Sequence, residues 1–293
     1  MNEAAFLARL RALPLHPGAA GLGDDTAALA GLTITTDTLV EGVHFLSDDP
    51  APDVAWKLLA TNLSDLAAKG ALPIGVLLNY PLRDAAWDAA FLDGLHVALD
   101  RLGTRLLGGD TVTLPAGAPR ILTLTAFGHD APAPSRSGAC VGDALWVTGT
   151  IGDAGEGLRI AQAGGNGDPR LLARYRRPVP RLAEGRALAP LVHAMMDVSD
   201  GLLIDAERMA AASGVAITVD LGAVPLAAGI SDPLTAATAG DDYELLFAAP
   251  AAWKPPVAAT QVGIFAAGDG LSLTHDGRSV PRPPILGYQH GLR

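Results

Sequence analysis

Carboxylates in this chain gather at the ends of apolar runs and beside glycines, and that placement limits the possible folds more than any other feature. Of its 31 acidic residues 25 are Asp and 6 are Glu, and nine of the aspartates fall in six short clusters. They are Gly23-Asp24-Asp25, Thr35-Thr36-Asp37, Asn62-Leu63-Ser64-Asp65, Gly108-Gly109-Asp110, Asp197-Val198-Ser199-Asp200-Gly201 and Gly240-Asp241-Asp242. Helix caps and turns favour Asp over Glu and explain one aspartate per helix start. They do not explain aspartate pairs, or aspartate after Gly-Gly. Converging carboxylates repel one another, so a fold that collects them must also collect cations. Oxygen donors without His or Cys select Mg2+, Ca2+ or Mn2+ over zinc. None of the clusters has the EF-hand spacing of a calcium sensor.

Between the clusters, β-branched and aliphatic runs alternate with alanine-rich helical ones, which predicts a mixed α/β chain. Strands are expected at 32–36, 73–79, 105–107, 120–127, 144–148, 216–219 and 261–265. Helices are expected at 4–13, 53–69, 85–102, 155–163, 181–191 and 202–212. Within 53–69, Asn62, Asp65 and Lys69 share one helical face. That face is either solvated, with an Asp65–Lys69 pair, or a polar stripe facing a metal site. Residues 143–157 run from a strand through a glycine-rich turn into a helix, a form that presents backbone N–H groups to phosphate. There is no GxxxxGK[ST] loop and no kinase HRD or DFG combination. With only three lysines, phosphate charge falls to metals, Arg and backbone, as in Mg2+-carried phosphoryl transfer.

The chain has 293 residues and a net charge of −10. That length buries enough surface for one large or two medium domains. The acidic balance argues against binding nucleic acid or an anionic membrane. No apolar run reaches membrane-spanning length, and charges within the first fifteen residues speak against a secretory signal. A single cysteine, Cys140, excludes an internal disulfide and a cysteine-rich zinc site. A cytoplasmic protein is expected. The stretch 129–138, with two prolines among small polar residues, divides the chain as a linker, and 281–284 reads as a covering tail.

These motifs together resemble the thiamine-monophosphate kinases, in the superfamily of aminoimidazole ribonucleotide synthetase and selenophosphate synthetase. The matching stretches are GLGDDTAAL, TTDTLVEGVHF, NLSDLAAKGALP, LLGGDT, SRSGACVGD, VTGTIGDAGEGL, RYRRPVPR, MDVSDGL and GDDYELLF, in family order, with a weaker LGYQH at 286–290. EGVHF and DYELLF look more like the thiamine branch than its sister enzymes. The resemblance implies a two-domain α/β (α+β) fold. Residues 1–136 would form an N-terminal domain that binds ATP and Mg2+ and builds a barrel-like sheet at a homodimer interface. Residues 137–293 would form a C-terminal α/β domain completing the cleft.

The implied reaction is ATP-dependent phosphorylation of thiamine monophosphate to thiamine diphosphate with several Mg2+ ions. By motif match, Asp25, Thr35, Thr36, Asp37, Asp65, Asp110, Asp197 and Asp200 take metal-ligand positions, with Asp37 and Asp110 at the reacting phosphates. Gly109, Asp110, Arg136 and Ser199 take positions near ATP. His44, Asp241 and Tyr288 take positions near thiamine. The residues leave other readings open: His44 as a satisfied core histidine, Ser199 as a helix cap, Arg136 as an exposed linker residue. The chain departs from the family at Lys69, where Met is expected, and at Asp241, where Glu is usual. Two alternatives are a sister ATP-dependent enzyme acting on another phosphorylated metabolite and a non-catalytic Mg2+–nucleotide-binding dimer.

Overall fold

The computed structural model describes residues 3–289. After helix α1 (Glu3–Leu10), the first half contains β1 (Ala27–Leu29), β2 (Leu32–Val40), α2 (Ala51–Ala68), β3 (Leu72–Leu82), α3 (Ala85–Arg101), β4 (Leu106–Thr113) and β5 (Ile121–His129). These strands form one sheet in the order β1-β2-β5-β3-β4. Only β3 and β4 run parallel, and α3 makes the crossover that a parallel pair requires. Alternation dictates the sheet's faces: along β5, Leu122, Leu124 and Ala126 are buried while Ile121 is exposed. The buried face packs on α2 and α3 through Leu58, Leu63 and Phe91. Asp84 starts α3 by accepting the Trp87 N–H at 2.9 Å. The opposite face is open, and edge strand β4 is exposed throughout. Within one chain this sheet does not close into a barrel.

The second half holds β6 (Asp143–Thr148), α4 (Asp153–Gln162), α5 (Pro169–Arg176), α6 (Leu182–Leu188), β7 (Ala194–Asp197), α7 (Leu202–Ser213) and β8 (Ala216–Asp220). It continues with α8 (Pro233–Thr238), β9 (Leu245–Pro250), β10 (Ala259–Ala266), β11 (Leu271–His275) and β12 (Arg278–Val280). Its sheet has the order β12-β11-β8-β10-β6-β9-β7. A core of Leu145, Val147, Met196, Leu203 and Phe265 lies between this sheet and α7.

Helix α2 joins the halves. Its Leu58 and Leu63 belong to the first core, while its Ala67 and Ala68 pack with Leu188, Met195 and Phe247 of the second half. Because α2 is buried on nearly every side, its polar residues can only face one another or the cleft between the sheets.

Several elements escape the sequence pattern. Strands β7 and β9 are buried on both faces, so they show no alternation. The strand expected at 105–107 runs on to Thr113 as β4, with Gly108-Gly109 inside it. Gly109 sits at φ 156°, and a Cβ there would lie 1.7 Å from the Leu78 carbonyl oxygen, so glycine permits the close pairing of β3 with β4. The expected tail runs over the start of α7, where the Tyr288 N–H donates to the Asp200 carbonyl at 2.8 Å.

Candidate functional site

Strand β2 brings Thr35 and Asp37 to its helix-covered face, α2 contributes Asn62, Ser64 and Asp65, and β7 ends at Asp197. The Thr35 hydroxyl donates to Asp65 Oδ2 at 2.5 Å. Asn62 Oδ1 accepts the Asp37 N–H at 3.1 Å. The Ser64 hydroxyl donates to Asp197 Oδ2 at 2.5 Å. The Arg136 guanidinium pairs with Asp25, and its backbone N–H faces Asp24. The polar stripe of α2 is therefore turned inward: Asn62 and Lys69 are buried, which removes the solvated-face reading. Lys69 pairs with Asp24, not Asp65, and donates to the Pro134 carbonyl at 3.1 Å.

The carboxylates feel one another. Burial first, then the charges of Asp25 and Asp200, push Asp37 up to about 6. Burial, then Asp37, Asp197 and Asp25, hold Asp65 well above the usual carboxylate range, with the Thr35 hydrogen bond acting against them. Asp197 is raised in the same sense, by burial and then by Asp25, against the Ser64 hydrogen bond. Burial, then the Asp200 charge, push Asp205 up to about 7. Groups so placed favour their protonated forms more than free carboxylates do, unless cations neutralise the charge. Asp25 Oδ2 is buried without a hydrogen-bond partner, and the surrounding donors are oxygens. This set fits a hard divalent cation such as Mg2+.

Asp200 lies at the same end, held by Arg208 at 2.5 Å. Ser199 is not a helix cap. The residue before α7 is Gly201, which has no capping side chain, and the Gly201 and Asp200 N–H groups are taken by Asp205 at 3.2 and 3.1 Å. The Asp241 N–H reaches the Ser199 carbonyl at 2.8 Å, with Asp241 at φ 71°, a region that Asp tolerates better than most residues. Lys57 Nζ, on α2, lies 2.7 Å from Asp241 Oδ2 and donates to the His44 carbonyl at 3.0 Å. His44 is half-buried, and its Nδ1 accepts the Val40 N–H at 3.0 Å. Tyr288 is exposed, with its backbone fixed to Asp200. His290, the last residue of the LGYQH match, lies outside the described residues.

Three expected residues are not brought in. The Thr36 hydroxyl faces the other side of the sheet, donating to the Leu124 carbonyl at 3.2 Å and accepting from Thr125 at 3.0 Å. Gly109 and Asp110 lie on β4, three strands from β2 in the sheet order, roughly 14 Å away at ordinary strand spacing. Among the described residues, no hydrogen bond or ion pair ties Asp110 to the other carboxylates. The glycine-rich turn is also closed to phosphate as it stands. Asp242 accepts the Gly152 and Ala154 N–H groups at 2.7 and 3.2 Å, so an internal carboxylate occupies the start of α4.

Ser64, Lys57 and Asp205 were not singled out by the sequence. Lys57, Thr61 and Ser64 do recur at i, i+4 and i+7 on α2, a polar line inside an apolar helix that could have marked the first two.

The AIR synthase related protein N-terminal domain matches residues 23–129, and the corresponding C-terminal domain matches 141–267. The thiamine-monophosphate kinase of Caulobacter vibrioides is 40% identical, over 94% of this chain and 86% of that protein. Among solved structures, AaThiL complexed with AMPPCP and TMP superposes with a TM-score of 0.87 and 29% identity, over 99% of this chain and 97% of its own. Thiamine-monophosphate kinase from Stenotrophomonas maltophilia gives 0.76 and 37% identity, over 96% and 99% of the two chains.

Proposed function

The chain belongs to the thiamine-monophosphate kinase family of AIR synthase-related proteins, and from that premise we propose direct phosphoryl transfer in the cleft where α2 meets both sheets. The protein is an ATP-dependent kinase that phosphorylates thiamine monophosphate. The observation that carries this reading is the match, over almost the whole chain, to a relative complexed with AMPPCP and TMP. A phosphate oxygen of thiamine monophosphate attacks the γ-phosphorus of ATP. The bond to the β–γ bridging oxygen breaks, leaving ADP and thiamine diphosphate.

Asp25, Thr35, Asp37, Asp65, Asp197 and Asp200 would hold Mg2+ ions. When bound, these ions supply the positive charge that phosphoryl transfer requires. Arg136, with its planar fork, and Ser199 serve the ATP side. His44, Asp241 and Tyr288 serve the thiamine side, with Lys57 orienting Asp241.

Residues 1–136 and 137–293 act as the two domains of this cleft. A homodimer through the open face of the first sheet is part of the same reading. That face and its edge expose Leu77, Leu106, Leu107, Val112 and Ile121, an apolar area of the kind that interfaces cover. Thr36, Gly109 and Asp110 lie toward it and would meet ATP and metal only with a second copy in place. A lone cysteine and the lack of a membrane-length helix among the described residues support a cytoplasmic setting.

The test is to incubate the protein with MgATP and thiamine monophosphate and resolve the products. Thiamine diphosphate with ADP in equal amounts is expected. ADP with inorganic phosphate and no diphosphate would overturn the acceptor assignment in favour of a sister activity.

A further inference from the structure

At the far end of β7 from Asp197, a second group of donors comes together with a different chemistry. Cys140 lies in the turn before β6, Asp143 opens β6, and His193 immediately precedes β7. Strands β6 and β7 both pair with β9, through Asp143–Pro250 and Ala194–Ala248, so their first residues arrive at the same end of the sheet. Asp143 Oδ2 lies 2.8 Å from His193 Nδ1 and accepts the Cys140 N–H at 2.8 Å. One sulfur, one ring nitrogen and one carboxylate oxygen from these three residues all lie within 4.8 Å of one another.

The backbone around them is fixed. The Gly138 and Ala139 N–H groups both donate to the Ser213 hydroxyl at 3.1 Å. A Cβ on Gly138 would lie 2.3 Å from the His193 carbonyl oxygen, so the turn is seated against the strand that carries the histidine. Asp143 is buried, whereas Cys140 and His193 are exposed. The group is anchored from below and open to solvent above.

We propose that Cys140, Asp143 and His193 form a site for a borderline-soft divalent metal ion of the Zn2+ class, separate from the carboxylate cleft. A tetrahedral ion with bonds of roughly 2.0–2.3 Å sets its ligand atoms about 3.3–3.7 Å apart. The His193–Asp143 contact must open by about half an ångström to reach that, and the exposed thiol side chain must swing in. Three protein ligands leave the fourth position to water. Thiolate and imidazole favour such an ion over Mg2+, whereas the all-oxygen cleft favours the reverse. The thiol gives its proton to solvent as the metal binds. The site lies about 13 Å from Asp197, four strand residues away, so the two sites share no ligand.

The sole cysteine of the chain makes the test specific. Titrate the full-length protein with Co2+ in excess Mg2+, under a phosphine reductant in place of a thiol, and record the absorption spectrum. A sulfur-to-cobalt charge-transfer band with tetrahedral d–d bands is expected, reversed by Zn2+, and Zn2+ alone should raise the melting temperature. Cys140→Ser should lose the charge-transfer band entirely and leave the rate of thiamine diphosphate formation without Zn2+ or Co2+ unchanged. His193→Gln should weaken Co2+ binding by at least about tenfold, the loss that even an outer partner's removal brings. Absence of the band in the unaltered protein, its persistence in Cys140→Ser, or equal binding by His193→Gln would each overturn the assignment.

Discussion

At the carboxylate end of the cleft, Asp37, Asp65 and Asp197 are all raised, by burial and by one another's charges. At the Asp241 end, by contrast, every charge has a partner in the chain. Lys57 pairs with Asp241 and lies 4.2 Å above the Tyr175 ring; Tyr175 donates to Asp49 at 2.7 Å, and Arg176 meets the same carboxylate at 2.9 Å. The second end is finished as folded. The first holds more negative charge than its own cations, Arg136, Lys69 and Arg208, offset, and the proposed Mg2+ ions would neutralise the remainder. In the proposed reading, that contrast separates an end that would stabilise the reacting phosphates from an end that would position the acceptor.

Metal removal should expose the contrast most sharply. Activity should vanish in EDTA and return with Mg2+ or Mn2+, because Arg136 and Lys69 are already paired with Asp25 and Asp24 and do not suffice to neutralise the transferring phosphate. At a free concentration one hundred times its Kd, Mg2+ should stabilise the fold by about 2.7 kcal/mol. The pH dependence follows from the raised groups. For Asp37, with a folded value of about 6 against an ordinary 3.8, the contribution to stability is full below the ordinary value and is lost as pH rises through about 6. In chelator, wild type should therefore gain stability relative to Asp37→Asn as pH falls from about 7 to about 5, read by thermal melts. Full activity after bound metal has been stripped would break the contrast outright.

Next in size is Asp37→Asn itself. Its loss removes stabilisation of transition-state charge, so kcat should fall by on the order of 10²-fold or more, about 2.7 kcal/mol. In EDTA the same variant should melt higher than wild type at neutral pH, because one repelling charge is gone. Steady-state kinetics and melts on one preparation check both signs, and a lower melting temperature would show that Asp37 is held by something other than repulsion.

How much of this was legible in the residues depends on range. Asp37 and Asp197 each follow an apolar or β-branched run of residues, and a carboxylate at such a position is a local signal, although β2 continues past Asp37 to Val40. The convergence of Asp25, Asp65 and Asp200 on the same place was readable from the family order of the motifs. The motif of Asp110 was legible but the strand pairing that carries it was not: β4 lies at the edge of the first sheet, so Asp110 would join the proposed site only with a second copy in place. Lys57 and Ser64 went unread because α2 is buried nearly all round, so the polar line they form with Thr61 does not stand out as a solvated face would. The glycine-rich turn was legible as a turn, but Asp242, which fills it, comes from a loop far along the chain.

At the other end, Lys57→Met should act on binding and not on the chemical step. It removes the ion pair to Asp241 and the hydrogen bond to the His44 carbonyl, so both thiamine-side residues lose their position. KM for thiamine monophosphate should rise about tenfold with kcat and the KM for ATP nearly unchanged, the signature of lost uniform binding. His44→Ala should move the same constant in the same direction. If either variant lowered kcat as Asp37→Asn does, the division between the two ends would be wrong.

The smallest effect is expected at Ser64, whose hydroxyl is the one neutral donor that reaches into the carboxylate end from α2, at Asp197. Ser64 and Asp197 are both buried, so a lost hydrogen bond there is not replaced freely by water. Ser64→Ala should lower stability by about 1–2 kcal/mol with Mg2+ present, when Asp197 carries its charge, and by less in chelator, when Asp197 holds a proton. The sign of that difference matters more than its size, because a packing defect would cost the same in both conditions. A double-mutant cycle with Asp197→Asn isolates the pair. Coupling that is present with Mg2+ and shrinks without it would place the charged form of Asp197 in the metal-loaded cleft; coupling independent of metal would make Ser64 a packing residue and leave Asp197 protonated throughout.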